Sequence, residues 1–339
     1  MRSVPAAWAA IALMAGAASA VRAQCAASMG GVVPYVVETG DTLGAIAGRY
    51  LISLEDWREV LRLNPGIEPN RLRIGSTLQL PAPRLRATAL PVTVDHVAGR
   101  VEVQERDGAA WEALVAGRIL RPGARVRALP GGIASLRLPD GSVSQLSPRT
   151  EMRIDAACDG LQGRLRLVSY SLTQGRVETM ARPQPSGSRF EVRTPQAVAS
   201  VRGTAFGVEA TEPGPRSAAT LSDVLEGRVQ LGTARGAAEL PEGMGAVADP
   251  SAGAPKAVPL LAPPDLSATE ADQLERRLRI DARAPEGARR FRYRVARDAQ
   301  FQAVLAEGAA DRLPLEVEAA LDDGDYFVAL RAEDGAGIP

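Results

Sequence analysis

A single histidine, His96, and two cysteines, Cys25 and Cys158, are all that 339 residues offer of the side chains most used for zinc ligation and thiol catalysis. A zinc peptidase needs several such ligands and a Cys-His peptidase needs its pair within reach, so both classes are disfavoured. A Ser-His-Asp centre would have to run through His96, which opens a predicted strand as an edge or surface residue, and no Gly-x-Ser-x-Gly elbow accompanies it. Phosphate-binding glycine loops and a dinucleotide fingerprint are missing too. The carboxylates of "DDGDY" (322–326) are too few for a calcium loop and read as a hairpin turn. Neither sign of charge is in excess, with 40 basic against 40 acidic residues, which argues against a nucleic-acid partner. No metal and no cofactor is expected.

What is present is glycine and proline, 33 and 25 residues, beside 45% hydrophobic residues, the composition of a folded chain rich in turns. The length exceeds one ordinary core, so two or three domains are expected. Residues 1–23 combine an early Arg2, an apolar run from Ala6 to Ala18 and Ala-x-Ala patterns, which reads as a secretory signal peptide cut after Ala23, with Ala20 the second choice. The run is shorter than the roughly 20 residues of a membrane span, and no later segment reaches that length, so no transmembrane segment is expected in the mature chain. Removing Arg2 and Arg22 leaves 38 basic against 40 acidic groups. An oxidising compartment permits a Cys25–Cys158 disulfide, but Cys25 would lie in a frayed new N-terminus, which argues against pairing. Arg22-Ala23-Gln24 also lacks the apolar and small residues of a lipid-anchor signal.

Two proline-rich breaks, at 82–91 and 249–262, divide the rest into segments 35–81, 92–248 and 263–339. In the first, "YVVE" is a short strand ended by Gly40. Asp41 or Thr42 caps a helix from Leu43 that buries Leu43, Ile46, Ala47 and Tyr50. Ser53 and Asp56 form a capping box for a second helix with Leu54, Trp57 and Leu61 on its buried stripe, Asn64-Pro65-Gly66 stops it, and "STLQLP" returns as a strand. This strand-helix-helix-strand order, with "YVVETGDTL", "IAGRY" and "NPGIEPNRLRIGSTLQLP", resembles the LysM domain. The resemblance implies a shallow groove for N-acetylglucosamine-containing glycan, peptidoglycan above all. Its walls would be Gly40, Asp41, Thr42 and Leu43 on one side and Asn64, Pro65, Gly66 and Ile67 on the other. The competing reading is that Asp41, Thr42 and Asn64 only cap and end helices. Replacing Asn64 and Thr42 together is expected to weaken wall binding without unfolding the chain.

The middle segment alternates short apolar-polar runs with turns such as Pro122-Gly123 and Asp140-Gly141, the pattern of an all-β sandwich, barrel or solenoid. The run "FEVRTPQAVASVRGTAFGVEA" (190–210) resembles the FecR family through Thr194, Pro195, Val201, Arg202, Gly203, Thr204 and Phe206, with support from "GRVEV", "DGS" and "LEGRVQL" between about 94 and 231. The resemblance implies a periplasmic β domain that contacts other envelope molecules and carries no chemistry. Gly203 is read as a backbone position that a side chain would obstruct, Phe206 as core, and Thr204 as a local hydrogen bonder. The family's regulators carry a membrane span ahead of this domain; none is seen before it here, so direct signalling of that kind is not expected.

The third segment, with "FRYRVARDAQF" and "GDYFVALRAEDGAG", resembles a fibronectin type III or immunoglobulin-like sandwich, with Phe291, Tyr293, Val295, Tyr326, Val328 and Leu330 inward. It ends at Gly337-Ile338-Pro339, where another strand is expected, and so reads as incomplete or open-edged. The fold class expected is multidomain and mainly β: a small βααβ LysM module, a central all-β FecR domain and a C-terminal β-sandwich-like domain. The function expected is an exported, periplasmic, peptidoglycan-binding scaffold, non-enzymatic, with an unknown envelope protein as partner. A sensor or regulatory adaptor is the alternative. A wall hydrolase is less favoured, because no catalytic domain is left to hold scattered carboxylates in a cleft.

Overall fold

The computed structural model describes residues 25, 31–201, 203–211, 218–274, 277–317 and 321–339. The signal peptide therefore lies outside the described residues. The chain divides into two compact units, one built from 1–90, 155–168 and 184–189, the other from 91–154, 169–183 and 190–339.

In the first unit, strand β1 (Val32–Val36) pairs antiparallel with β2 (Thr77–Pro81), and helices α1 (Leu43–Tyr50) and α2 (Trp57–Leu63) lie between them in sequence. Thr42 adopts extended backbone and its Oγ1 accepts from Ala45 N at 3.1 Å, which satisfies one orphan amide of α1. Leu43, Ile46, Ala47 and Tyr50 are all buried, as their spacing requires. The Ser53/Asp56 capping box forms around a short 3-10 turn (Leu54–Asp56), which shifts the start of α2 to Trp57. The shift rotates the buried stripe: Leu54 is exposed, Val60 becomes the fully buried residue, and Trp57 and Leu61 pack beside the core.

That core is not completed by the βααβ segment alone. Ala156, Cys158, Leu161, Leu165 and Leu167 enter it from more than 70 residues later in the chain. The stretch expected as a linker at 82–91 carries a 3-10 turn (Ala82–Arg84) and a strand (Ala87–Ala89) that pairs with Cys158–Gly160, and it buries Ala82, Leu85 and Ala87. The expectation that Cys25 stays unpaired is overturned. Cys25 is fully buried and disulfide-bonded to Cys158, with Cα atoms 5.8 Å apart. The physical reason is that Cys158 sits on a strand inside this core, so the bond has an apolar seat that the sequence pattern of residues 24–30 does not advertise.

The second unit contains the all-β body. One antiparallel layer runs, neighbour to neighbour, through Ile119–Leu120, Val92–Ala98, Ile133–Arg137, Val143–Leu146, Leu165–Ala181, Thr204–Ala210, Thr220–Glu226 and Met244–Ala248. The other includes Val101–Gln104, Arg125–Ala128, Arg189–Arg193, Val198–Val201, Arg228–Thr233 and Gly236–Pro241. The layers meet through aromatic side chains: Phe190 stacks edge-on against Phe206, centroids 6.4 Å apart, and against Tyr170 at 5.6 Å. The C-terminal region adds a three-stranded sheet in the order Val304–Ala310, Arg290–Ala296, Phe327–Glu333, and belongs to the same compact unit. One face of that sheet buries Phe291, Tyr293, Val295 and Leu330 in a core of its own.

Candidate functional site

The two candidate groove loops adjoin. Leu43 N donates to Pro69 O at 3.0 Å, tying the start of α1 to the loop after α2. Gly40 (φ +85°) and Gly66 (φ +86°) hold left-handed backbone, are exposed, and have open space where a Cβ would stand. Pro65 is exposed between them in the chain order of the second loop, and Ile67 is half-buried against the core. These residues leave backbone within reach of a flat ligand.

Asp41, Thr42, Leu43 and Asn64 do different work. Asp41 is buried, and its Oδ2 accepts from Tyr35 Oη at 2.7 Å and Glu38 N at 2.9 Å. Burial, followed by the hydrogen bond to Asp41, pushes the Tyr35 phenol far above its ordinary range. Thr42 spends its oxygen on the cap, and Leu43 is core. Asn64 donates from Nδ2 to Val60 O at 2.7 Å and Gln79 O at 2.9 Å, while its Oδ1 accepts from Gln79 N at 2.7 Å. Every polar atom of Asn64 thus fastens α2 to β2, so the double replacement of Asn64 and Thr42 costs stability.

Among the middle-segment motif residues, Thr194 Oγ1 caps the 193–198 hairpin by accepting from Ala197 N at 3.0 Å, with Pro195 exposed in the turn. Gly203 has φ +73°, and a Cβ there would meet Pro183 Cα at 2.9 Å. Thr204 donates to Arg228 O at 3.0 Å, and Val201 and Phe206 are buried. Arg202 lies outside the described residues. His96 directs Nε2 at Val304 O, 2.9 Å away. Among the described residues no group of three or more His, Cys, Asp or Glu is placed to hold a metal.

Family models match two stretches: the LysM domain over residues 35–81 and FecR protein over residues 124–230. The chain carries a LysM domain followed by a FecR domain and a C-terminal β-rich region. Two crystal structures of a candidate anti-sigma factor from Parabacteroides distasonis align at 23% identity and TM-score 0.33, covering 40% of this chain. The chain spans 59% of the length of that protein. No curated protein matches the sequence.

Sequence reasoning missed an ion network on the outer face of the FecR body. Arg176, fully buried, donates to Asp223 Oδ1 at 2.8 Å and Glu178 Oε1 at 3.0 Å. From the C-terminal sheet, Arg331 donates to Asp223 Oδ2 at 2.7 Å, Arg292 to Glu209 at 2.9 Å, and Arg294 pairs with Glu178. Gly207 makes the room: a Cβ there would stand 2.1 Å from Arg176 Nη2. Burial alone would raise the Asp223 carboxyl, but Arg176 and Arg331 hold it below the ordinary carboxylate range. The available signal was the alternation Arg290, Arg292, Arg294 in "RFRYRV", which reads equally well as a solvated face.

Proposed function

We propose that this protein is an exported, periplasmic scaffold. In this reading the LysM domain holds the chain on peptidoglycan through exposed backbone at Gly40, Pro65 and Gly66, while the FecR domain and C-terminal region present surfaces to an envelope protein. The LysM match over residues 35–81 carries the reading, supported by the Leu43–Pro69 bond that brings the two loops to one edge. LysM supports glycan binding and a cell-envelope location. No helix among the described residues is long and apolar enough to cross a membrane. LysM and FecR are non-catalytic families, and the scaffold acts without cleaving its ligand. A shallow, weak site suffices, because the wall repeats its ligand and raises the effective concentration of the next contact.

The test is co-sedimentation of the full mature chain with purified peptidoglycan, reading both pellet and released sugar. Gly40→Asn with Pro65→Glu alters the loops and leaves the Asp41 and Asn64 networks intact. We expect at least a tenfold loss of pelleting from a chain that stays folded, its melting midpoint lowered only slightly by the left-handed backbone at residue 40, and no sugar released by either protein. Unchanged pelleting removes this edge from the site, and sugar release overturns the scaffold reading. The FecR match favours one further role, a regulatory adaptor, which predicts a single envelope protein crosslinked through residues 124–230.

A further inference from the structure

A cavity of about 480 Å³ opens beside the ion network, between the outer face of the FecR body and the C-terminal sheet within the second unit. Along the Leu165–Ala181 strand the outward positions read Arg176, Glu178, Met180, and on the neighbouring strands Ala205 lies opposite Met180 and Leu225 follows Asp223 by two. Period two therefore places the charges at one end of this face and apolar groups at the other. Met180 and Leu225 remain 52% and 48% exposed although they line the cavity, an apolar surface left open on its wall.

The charged end of the cavity is rich in donors, with Arg292, Arg294 and Arg331 on its wall, and the amides of Gln145, Gln300 and Gln302 stand elsewhere on the lining. Glu178 is the carboxylate on its wall, and both its oxygens are engaged, Oε1 by Arg176 and Oε2 by Arg294. Arg294 and Arg331 also line it and keep 16% and 20% of their side chains exposed. Arg331 Nη1 is buried at the back of this wall and finds no hydrogen-bond acceptor, Glu178 Oε1 being 3.6 Å away, so a head group reaches it only by a small shift of the side chain. Burial, together with the neighbouring Arg176 and Arg331 charges, brings the Arg294 guanidinium down to about 10. Volumes of this size suit small molecules, and a ligand gains most by supplying what the wall lacks.

We infer that this cavity binds a small amphipathic molecule whose hydrogen-bond acceptor head, a carboxylate or a carboxamide, lies at Arg294 and Arg331 and whose alkyl body lies along Met180, Ala205 and Leu225. The probes are octanoate, octanamide and octylammonium, titrated by calorimetry and by NMR into the full mature chain. Saturable 1:1 binding of octanoate at least tenfold tighter than of octylammonium is expected. Octanamide binding beside octanoate assigns the head to acceptor character alone, and octanoate binding without octanamide assigns it to charge. Ala205→Trp, which fills the apolar end without touching the ion network, is expected to weaken octanoate at least tenfold. Arg294→Gln is expected to weaken it through the head, and the comparison of the three probes on the native chain stands whether or not that variant folds. Octylammonium binding as well as octanoate, full binding by folded Ala205→Trp, or no saturable binding of either acceptor-headed probe overturns the site.

Discussion

The LysM unit and the second unit solve the same problem, joining segments far apart in the chain, with different balances of apolar and ionic contact. In the first, residues near 25 and near 158 are brought together by an apolar core and a disulfide. In the second, the C-terminal sheet lies on the FecR body through a small apolar cluster, Ile133 with Ala296 and Val304, and a larger ionic one of four arginines and five carboxylates, Arg176, Arg292, Arg294 and Arg331 with Glu178, Glu209, Asp223, Glu307 and Glu333. An apolar contact is non-directional and forgives small displacements, whereas a buried ionic one is strong only while every partner is present. One unit should therefore answer to reductant and the other to charge removal and acid.

The largest effect should follow from breaking the ionic junction. Arg176→Ala leaves the buried Asp223 with Arg331 as its remaining arginine and takes a partner from Glu178, and should cost about 3 kcal/mol of second-unit stability. Replacing both, Arg176→Met with Asp223→Leu, should restore only part of it, because Arg331 then loses its carboxylate partner, and Trp111 fluorescence in denaturant reports both variants. A double variant as weak as the single one would show that the pair does more than cancel charge.

Reduction, or Cys25→Ser, should cost the LysM unit about 2–5 kcal/mol, because the bond closes a sequence separation of 133 residues in the unfolded chain. Trp57 reads that unit while the Trp111 transition stays in place. Equal shifts of both transitions would show that the disulfide serves both units alike.

Acid should separate the units in the other direction. The Asp223 carboxyl is depressed in the folded state, so its contribution is present above its unfolded pKa of about 3.9 and lost as pH falls through the lower folded value. The Trp111 transition should weaken below about pH 4 and regain nothing from added reductant. Smallest of all, Thr42→Ala should remove the α1 cap for about 1 kcal/mol, seen at Trp57 alone.

Much of the LysM module was legible in the sequence because its signals are short-range. A cap at Thr42, a capping box from Ser53 to Asp56 and a helical spacing from Leu43 to Tyr50 each act within a turn or two. The candidate groove was legible as two loops, but the sequence could not show that Asp41 and Asn64 are spent on Tyr35, Val60 and Gln79, because β1 and β2 meet α1 and α2 only in three dimensions. The same holds for Cys25. Its partner is set by which strand enters the core, and nothing near residue 25 encodes that. Arg176 is harder still, for a buried arginine looks like a surface one until Gly207 and Asp223 are seen around it.

The disulfide also changes how the molecule bears load. Tension applied between the N-terminus and the C-terminal region passes from residue 25 to residue 158 through sulfur. The 133-residue span between them is shunted out of the extensible path, so the oxidised chain stretches about 450 Å less than the reduced one when drawn out fully. The βααβ segment of the LysM domain sits inside that protected loop, so a pull on the chain ends can strip Leu161, Leu165 and Leu167 from its core but cannot draw the segment itself out until the bond is cut.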